Sequence, residues 1–258
     1  MSRERSECPR HAGPARLASS EDITIACTCQ TPTAPHTRRR HPESDPAQSQ
    51  RKDYAQCQYC WKSKADGITL KKCAACQMEE YCSRECQKNA WPSHKARCKM
   101  NRSTQQITQE MHMPDVKTLY SFAQKHRANL ANCSIVALDL FIDPTRCMRF
   151  VLLVELYPRP ESRRIETSFY VTEAKVVPLE EFGAQADELR KQLALANEEQ
   201  KKSGALGTLF VLLRANLPTG QVTNVTGVGF GEHSLQGLRR GLPWKEKLKK
   251  MLNEGITG

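Results

Sequence analysis

Eight cysteine and histidine residues fall in a fixed order within one short stretch: Cys57-x2-Cys60, twelve residues, Cys73-x2-Cys76, five residues, Cys82-x3-Cys86, seven residues, His94-x3-Cys98. A segment of that length cannot bury enough apolar surface to hold itself together, so its fold must be fixed by something other than a core. The donors are soft thiols and one imidazole, and Zn²⁺ takes four such donors in a tetrahedron. Eight ligands make two closed sites, Zn²⁺ two per chain, with no coordination position left for water. A closed site holds structure, whereas a catalytic zinc keeps one position open.

The pairs differ in local geometry. Cys-x2-Cys places both sulfurs on one tight turn, whereas Cys82/Cys86 and His94/Cys98 are four apart and share a helix face. Ser83 suits the N-cap of the first helix and Pro92 the first turn of the second, so two separate helices are expected, with Pro92 between them. Tyr81 before the fifth cysteine, the CSRECQ run from Cys82 to Gln87 and the WPSHKARC ending from Trp91 to Cys98 resemble the MYND-type zinc finger. That resemblance covers residues 57–98 and implies a cross-braced pairing: Cys57, Cys60, Cys82 and Cys86 on one zinc, Cys73, Cys76, His94 and Cys98 on the other. The twelve-residue gap before Cys73 is longer than the family's usual loop, but lengthening a surface loop costs only a few tenths of a kcal/mol, roughly. A RING finger would end in a further Cys-x2-Cys pair, which this chain lacks.

Around the finger, 258 residues leave room for one ordinary domain. Residues 1–52 are rich in Pro, Ser, Thr, Gln and Arg without helical or strand period, and read as a disordered polar tail. Cys27, Cys29, His36 and His41 within it make a poor third metal set, since Cys-x-Cys chelates a tetrahedral ion badly. The first thirty residues lack the apolar centre of a secretory leader, and no run approaches the roughly 20 apolar residues of a membrane span. Twelve cysteines then point to a reducing compartment, nucleus or cytoplasm, where clustered thiols bind metal.

A formal charge of +11 invites a nucleic-acid reading. Residues 53–102 hold ten basic and five acidic side chains, and seven thiolates with two zinc ions lower that +5 to +2. Net charge therefore gives little support to nucleic acid as the partner.

Residues 103–258 read as an α+β domain. Leu119, Phe122, Ala123, His126 and Leu130 give an apolar helix face over 115–131. The runs 134–142 and 148–156 read as two strands of a hairpin turning at Asp143–Thr145. Further elements are a strand over 165–177, a helix over 184–202, strands over 208–213 and 222–228, and a helix over 244–252 begun by Pro243. The segments 150–156 and 210–217 resemble one another, as buried strands drawn from a small apolar alphabet do. GVGFGEHS at 227–234 has its glycines in the wrong order for a nucleotide fingerprint and reads as a glycine turn. Cys133 and Cys147 read as buried thiols, and Glu232–His233 carries no recognisable chemistry.

The finger's work then falls to its surface. Gln87 and Trp91 are four apart and share a helix face; similar positions in MYND fingers line a shallow groove for proline-containing peptides, which an indole suits. The competing role for Trp91 is a packing staple between the helices. The expectation is a zinc-binding protein-interaction adaptor, of the kind used in transcriptional regulation. A MYND-associated lysine methyltransferase and a DNA-binding finger are the alternatives. No Asn-His-Ser-Cys-like cofactor segment is found, so the chain is expected not to be an enzyme.

Overall fold

The computed structural model describes residues 40–258, apart from 111–113, 203, 218–219, 237 and 239. Most of the expected polar tail, with Cys27, Cys29 and His36, lies outside the described residues. Its last part does not behave as a free tail. Helix α1 (Ser49–Tyr54) buries Tyr54 in the main core, where its hydroxyl donates to Asn132 Oδ1 at 2.9 Å. Upstream, the Asp45 carboxylate accepts the backbone N–H groups of Ala47 and Ser49, and Thr257 N–H donates to Ser44 Oγ. A sequence without apolar period is fixed by one aromatic anchor and by hydrogen bonds to the chain's far end.

The finger holds a two-stranded ribbon of β1 (Lys71–Lys72) and β2 (Glu80–Tyr81), followed by helix α2 (Arg84–Glu110). α2 starts as expected, with Ser83 Oγ accepting the Cys86 N–H at 3.1 Å. It does not break at Pro92, which sits inside one continuous helix. A mid-helix proline costs about 3 kcal/mol. The metal ligands Cys86 on one side and His94 and Cys98 on the other pin both halves, and each zinc can supply several times that cost. The finger and the following segment thus share a helix that runs through residue 103.

The C-terminal part is α+β, as expected, with corrected elements. Helix α3 (Pro114–Lys125) and helix α4 (Arg127–Ala137) replace the single helix expected over 115–131, the chain bending at His126. The run 134–142 is not a strand: its first residues finish α4, and the rest are turns. α4 is buried nearly all round, at Ala128, Asn129, Leu130, Ala131, Cys133, Ser134, Ile135 and Val136. A fully buried helix shows no one-sided period, so its apolar run is indistinguishable in sequence from a buried strand.

Strands β3 (Phe150–Pro158), β4 (Phe169–Pro178), β5 (Gly207–Leu217) and β6 (Gly220–Phe230) form one sheet in the order β4-β3-β5-β6. β3/β4 and β5/β6 are antiparallel pairs, while β3 and β5 run parallel in the centre, Leu152 beside Val211. Helix α5 (Ala186–Lys202) makes the crossover between the two pairs. Leu152, Val154, Leu209, Val211 and Leu213 face the core built with α3, α4 and helix α7 (Trp244–Glu254), whereas Val151, Leu153, Phe210 and Leu212 meet Leu189 and Leu193 of α5. Burial on both faces explains why the two central strands read alike.

The GVGFGEHS segment is not a simple turn, for Gly227 and Gly229 lie within β6 and only the following residues turn into the short helix α6 (Glu232–Gln236). A Cβ on Gly229 would run into the Gln200 side chain, so the glycine lets α5 approach the sheet. Cys133 and Cys147 are buried as expected, burial pushing their thiols up to about 12 and about 11. No helix among the described residues is long and apolar enough to cross a membrane.

Candidate metal centre

Both Cys-x2-Cys turns are built the same way. The Trp61 N–H donates to Cys57 O at 3.1 Å and the Gln77 N–H to Cys73 O at 2.8 Å. The residue after each second cysteine, Trp61 (φ 60°) and Gln77 (φ 55°), turns through the left-handed region. That turn aims the two sulfurs of each pair to one side. The remaining ligands come from Cys82, just before α2, and from Cys86, His94 and Cys98 along it.

The eight donors gather into two sets, Cys57 with Cys60, Cys82 and Cys86, and Cys73 with Cys76, His94 and Cys98, each with its ligand atoms within 4.8 Å of one another. This is the interleaved pairing that the resemblance implies. The distances test whether zinc fits. A tetrahedral ion with Zn–S bonds of about 2.3 Å holds its sulfurs about 3.8 Å apart. The Sγ atoms of Cys60 and Cys82 lie 3.5 Å apart, and those of Cys82 and Cys86 3.4 Å. His94 Nε2 lies 3.5 Å from Cys73 Sγ and 3.8 Å from Cys76 Sγ. Both cages have the size and chemistry of a zinc site.

Electrostatics divide each cage: at Cys57 and Cys73 desolvation is outweighed by backbone N–H groups and neighbouring side chains, which lower the thiols, Cys73 to about 7. Desolvation and then the neighbouring thiols push Cys82 up to about 12, and desolvation with the charges of Cys76 and Cys73 pushes Cys98 up to about 11. Crowded thiols resist ionising together, and a divalent cation at their centre removes the resistance.

Glu79 is the functional residue that the sequence reading passed over. It lies between the second knuckle and β2, and its Oε2 is 2.8 Å from His94 Nδ1. The carboxylate thus sits at the Nδ1 edge of the ring, while Nε2 faces the sulfurs of Cys73 and Cys76. Tyr81 Oη donates to Glu79 Oε2 at 2.7 Å and Arg97 Nε to Oε1 at 2.9 Å. Burial works to raise the Glu79 carboxyl, but Arg97 and the Tyr81 hydroxyl outweigh it and hold it below the usual range. The only sequence signal was an acid two residues before the aromatic, too weak to single out. Glu79→Gln is expected to lower zinc affinity at the His94 site by about 10- to 100-fold, so that metal is lost to weaker chelators of a graded competition series than in the unaltered chain.

Gln87 and Trp91 stand on α2 one turn apart. Trp91 is exposed (43%), with its ring edge-on to His94 at 5.8 Å between centroids, so it is no buried staple. It lines a shallow cavity of about 500 Å³ together with Ala75, Pro92, Lys95, Lys99 and Arg102. Gln87 is half-buried and does not line that cavity.

Comparison with known proteins identifies the same segment. Residues 57–98 match the MYND finger family. A SET and MYND domain-containing protein of Dictyostelium discoideum is 47% identical over 47 residues, 17% of this chain and 9% of that protein. Human histone-lysine N-methyltransferase SMYD3 is 50% identical over 34 residues, 13% of this chain and 8% of the enzyme. Human N-lysine methyltransferase SMYD2 is 45% identical over 42 residues, 16% and 9% respectively. The match thus spans less than a tenth of the length of these relatives. No solved structure matches the chain.

These relatives overturn the expectation that the chain is not an enzyme. They are SET and MYND proteins, two of them named as lysine methyltransferases, so a missing cofactor segment is no ground for setting this chain outside enzymes. Residues 57–98 are a MYND finger, a protein-interaction module whose four-cysteine and three-cysteine–histidine cages hold two zinc ions.

Proposed function

We propose that the finger recruits a protein partner by seating a proline-containing peptide against Trp91. The observation that carries this reading is the open indole: zinc fixes α2, and α2 presents a large apolar side chain to solvent beside a shallow cavity. An extended proline-rich segment has little conformational entropy left to lose and packs well on a flat aromatic face. Gln87, one turn earlier on α2, lies outside the cavity and is the lesser contributor. Lys95, Lys99 and Arg102 give the groove a basic rim, so acidic residues flanking the proline motif strengthen binding, the more so at low salt.

Trp91→Ala is expected to weaken a proline-containing peptide by at least about tenfold, with two zinc ions retained. Gln87→Ala should have a smaller effect. Isothermal titration beside metal analysis checks both; undiminished binding by the zinc-loaded Trp91→Ala variant would sink the reading. The nucleus or cytoplasm is the proposed location, because the free thiols of both cages need a reducing environment.

The relatives favour a second reading, in which the chain takes part in lysine methylation. A titration with S-adenosylmethionine tests it directly, and the absence of saturable binding by the intact zinc-loaded chain would count against catalysis by this chain itself.

A further inference from the structure

Away from Trp91, a cavity of about 420 Å³ lies where three parts of the chain meet: α1, the finger's long loop and ribbon, and the α3–α4 pair. Its walls carry Arg51, Lys52, Lys64, Lys72 and Arg127 against a single carboxylate, Glu80. None of these five cations forms an ion pair among the described residues.

Two of them are nevertheless held in place. Arg51 Nη1 donates to Gln48 Oε1 at 2.9 Å. Arg127 donates from Nε to Tyr54 O at 3.0 Å and from Nη2 to Gly227 O at 2.7 Å. Neutral acceptors orient a guanidinium and leave its charge uncompensated. Burial lowers the pKa of Arg127, with Tyr120 and Glu80 opposing, as expected of a half-buried cation stripped of water.

On the loop side it is the backbone that is fixed. Lys64 opens a 3-10 turn closed by a reciprocal Ser63–Asp66 capping box, and its backbone N–H donates to Ala55 O at 2.9 Å. Tyr120, also on the wall, donates from Oη to Met78 O at 2.7 Å and ties α3 to the finger. The stretch between Cys60 and Cys73 thus places Lys64 and Lys72 on the cavity wall.

We propose that this cavity binds a compact, multiply charged phosphate compound free in solution, of the pyrophosphate or inositol-polyphosphate kind. The volume lies in the range of small-ligand sites, about 300–1,000 Å³, and exceeds what one phosphate needs. Two preset guanidiniums offer their remaining N–H donors to phosphate oxygens, and three lysines on the wall act as point charges. The ligand would clamp the finger to the domain. The site shares no residue with the Trp91 groove, so its failure leaves the peptide reading untouched.

Titration of the full-length zinc-loaded chain with inorganic pyrophosphate and with inositol hexakisphosphate, at about 0.15 M salt, tests the proposal. Both should bind at least about tenfold more tightly than sulfate. Lys64→Glu combined with Lys72→Glu should weaken them at least about tenfold, with two zinc ions retained. Should Lys72→Glu disturb the neighbouring Cys73 site, Lys52→Glu with Lys64→Glu gives the same reading without touching a residue next to a metal ligand. Pyrophosphate binding no tighter than sulfate overturns the proposal, as does unchanged affinity in a zinc-loaded double variant. Attachment to vesicles carrying phosphatidylinositol bisphosphate, without binding of the free anions, also overturns it.

Discussion

Stripping zinc with a strong chelator is expected to unfold residues 57–98 while leaving the β4-β3-β5-β6 sheet folded. Each structural zinc supplies on the order of 10 kcal/mol or more, and without it the finger has almost nothing to replace it. Its buried cluster is made largely of the ligands themselves: Cys57, Cys73, Cys76 and Cys98, with Tyr81 and Ala90. The domain's two cores contain none of these residues, so its helices and strands are expected to stay packed when the finger opens. Because the two ligand sets interleave along the chain, one cage cannot be lost in isolation. Cys73→Ser should therefore cost both zinc ions under mild chelator competition, although it removes a ligand from only one. Hydrogen exchange followed by mass spectrometry, with metal analysis, reads the outcome: loss of amide protection over 57–98 and retention over 150–158 and 207–217. A Cys73→Ser chain that keeps one zinc and native protection around Cys57 would show that the cages fold independently.

What the sequence disclosed and what it hid divide along physical lines. Metal coordination dictates both residue type and spacing, so Cys57 through Cys98 could be placed without coordinates. β5, β6, α5 and α7 were legible too, because turn residues bound them or because one face is polar. The end of α4 was not, since Cys133, Ser134, Ile135 and Val136 are all buried and leave no period to read. Pro92 misled for another reason: local propensity ends a helix at proline, but ligands on both sides outweigh that preference. Glu79 was invisible because one acid near a cysteine is ordinary in sequence and matters only once His94 lies 2.8 Å away. The basic cavity was hidden likewise. Arg51, Lys64, Lys72 and Arg127 are far apart along the chain, and the near-neutral charge of the zinc-loaded finger conceals that several cations point into one space.

The second large effect concerns pH and a residue outside the finger. His126, at the bend between α3 and α4, is fully buried. Its Nε2 lies 2.8 Å from Glu166 O and its Nδ1 3.3 Å from Asn129 Nδ2, which in turn donates to Ile256 O at 2.7 Å. A neutral ring satisfies this arrangement by donating from Nε2 to the carbonyl and accepting at Nδ1 from the amide; a second proton on Nδ1 would face another donor. Burial lowers its pKa from 6.5 to about 4, with Glu166 pulling the other way and Lys125 adding to the depression. Between those values the unfolded chain holds a proton that the native chain lacks, so stability rises with pH across the window. The contribution is complete above the unfolded value and falls away as pH drops from about 6.5 toward about 4, in total about 3 kcal/mol. His126→Gln keeps an amide donor and a carbonyl acceptor at the bend without a titrating group, and should lose that slope. Zinc ligands also take up protons in acid, so the informative quantity is the difference between the two chains in denaturant midpoint for sheet unfolding, measured from pH 7 to pH 4.5. Parallel curves would mean that the ring is protonated in the native state, or that the α3–α4 bend opens before the sheet does.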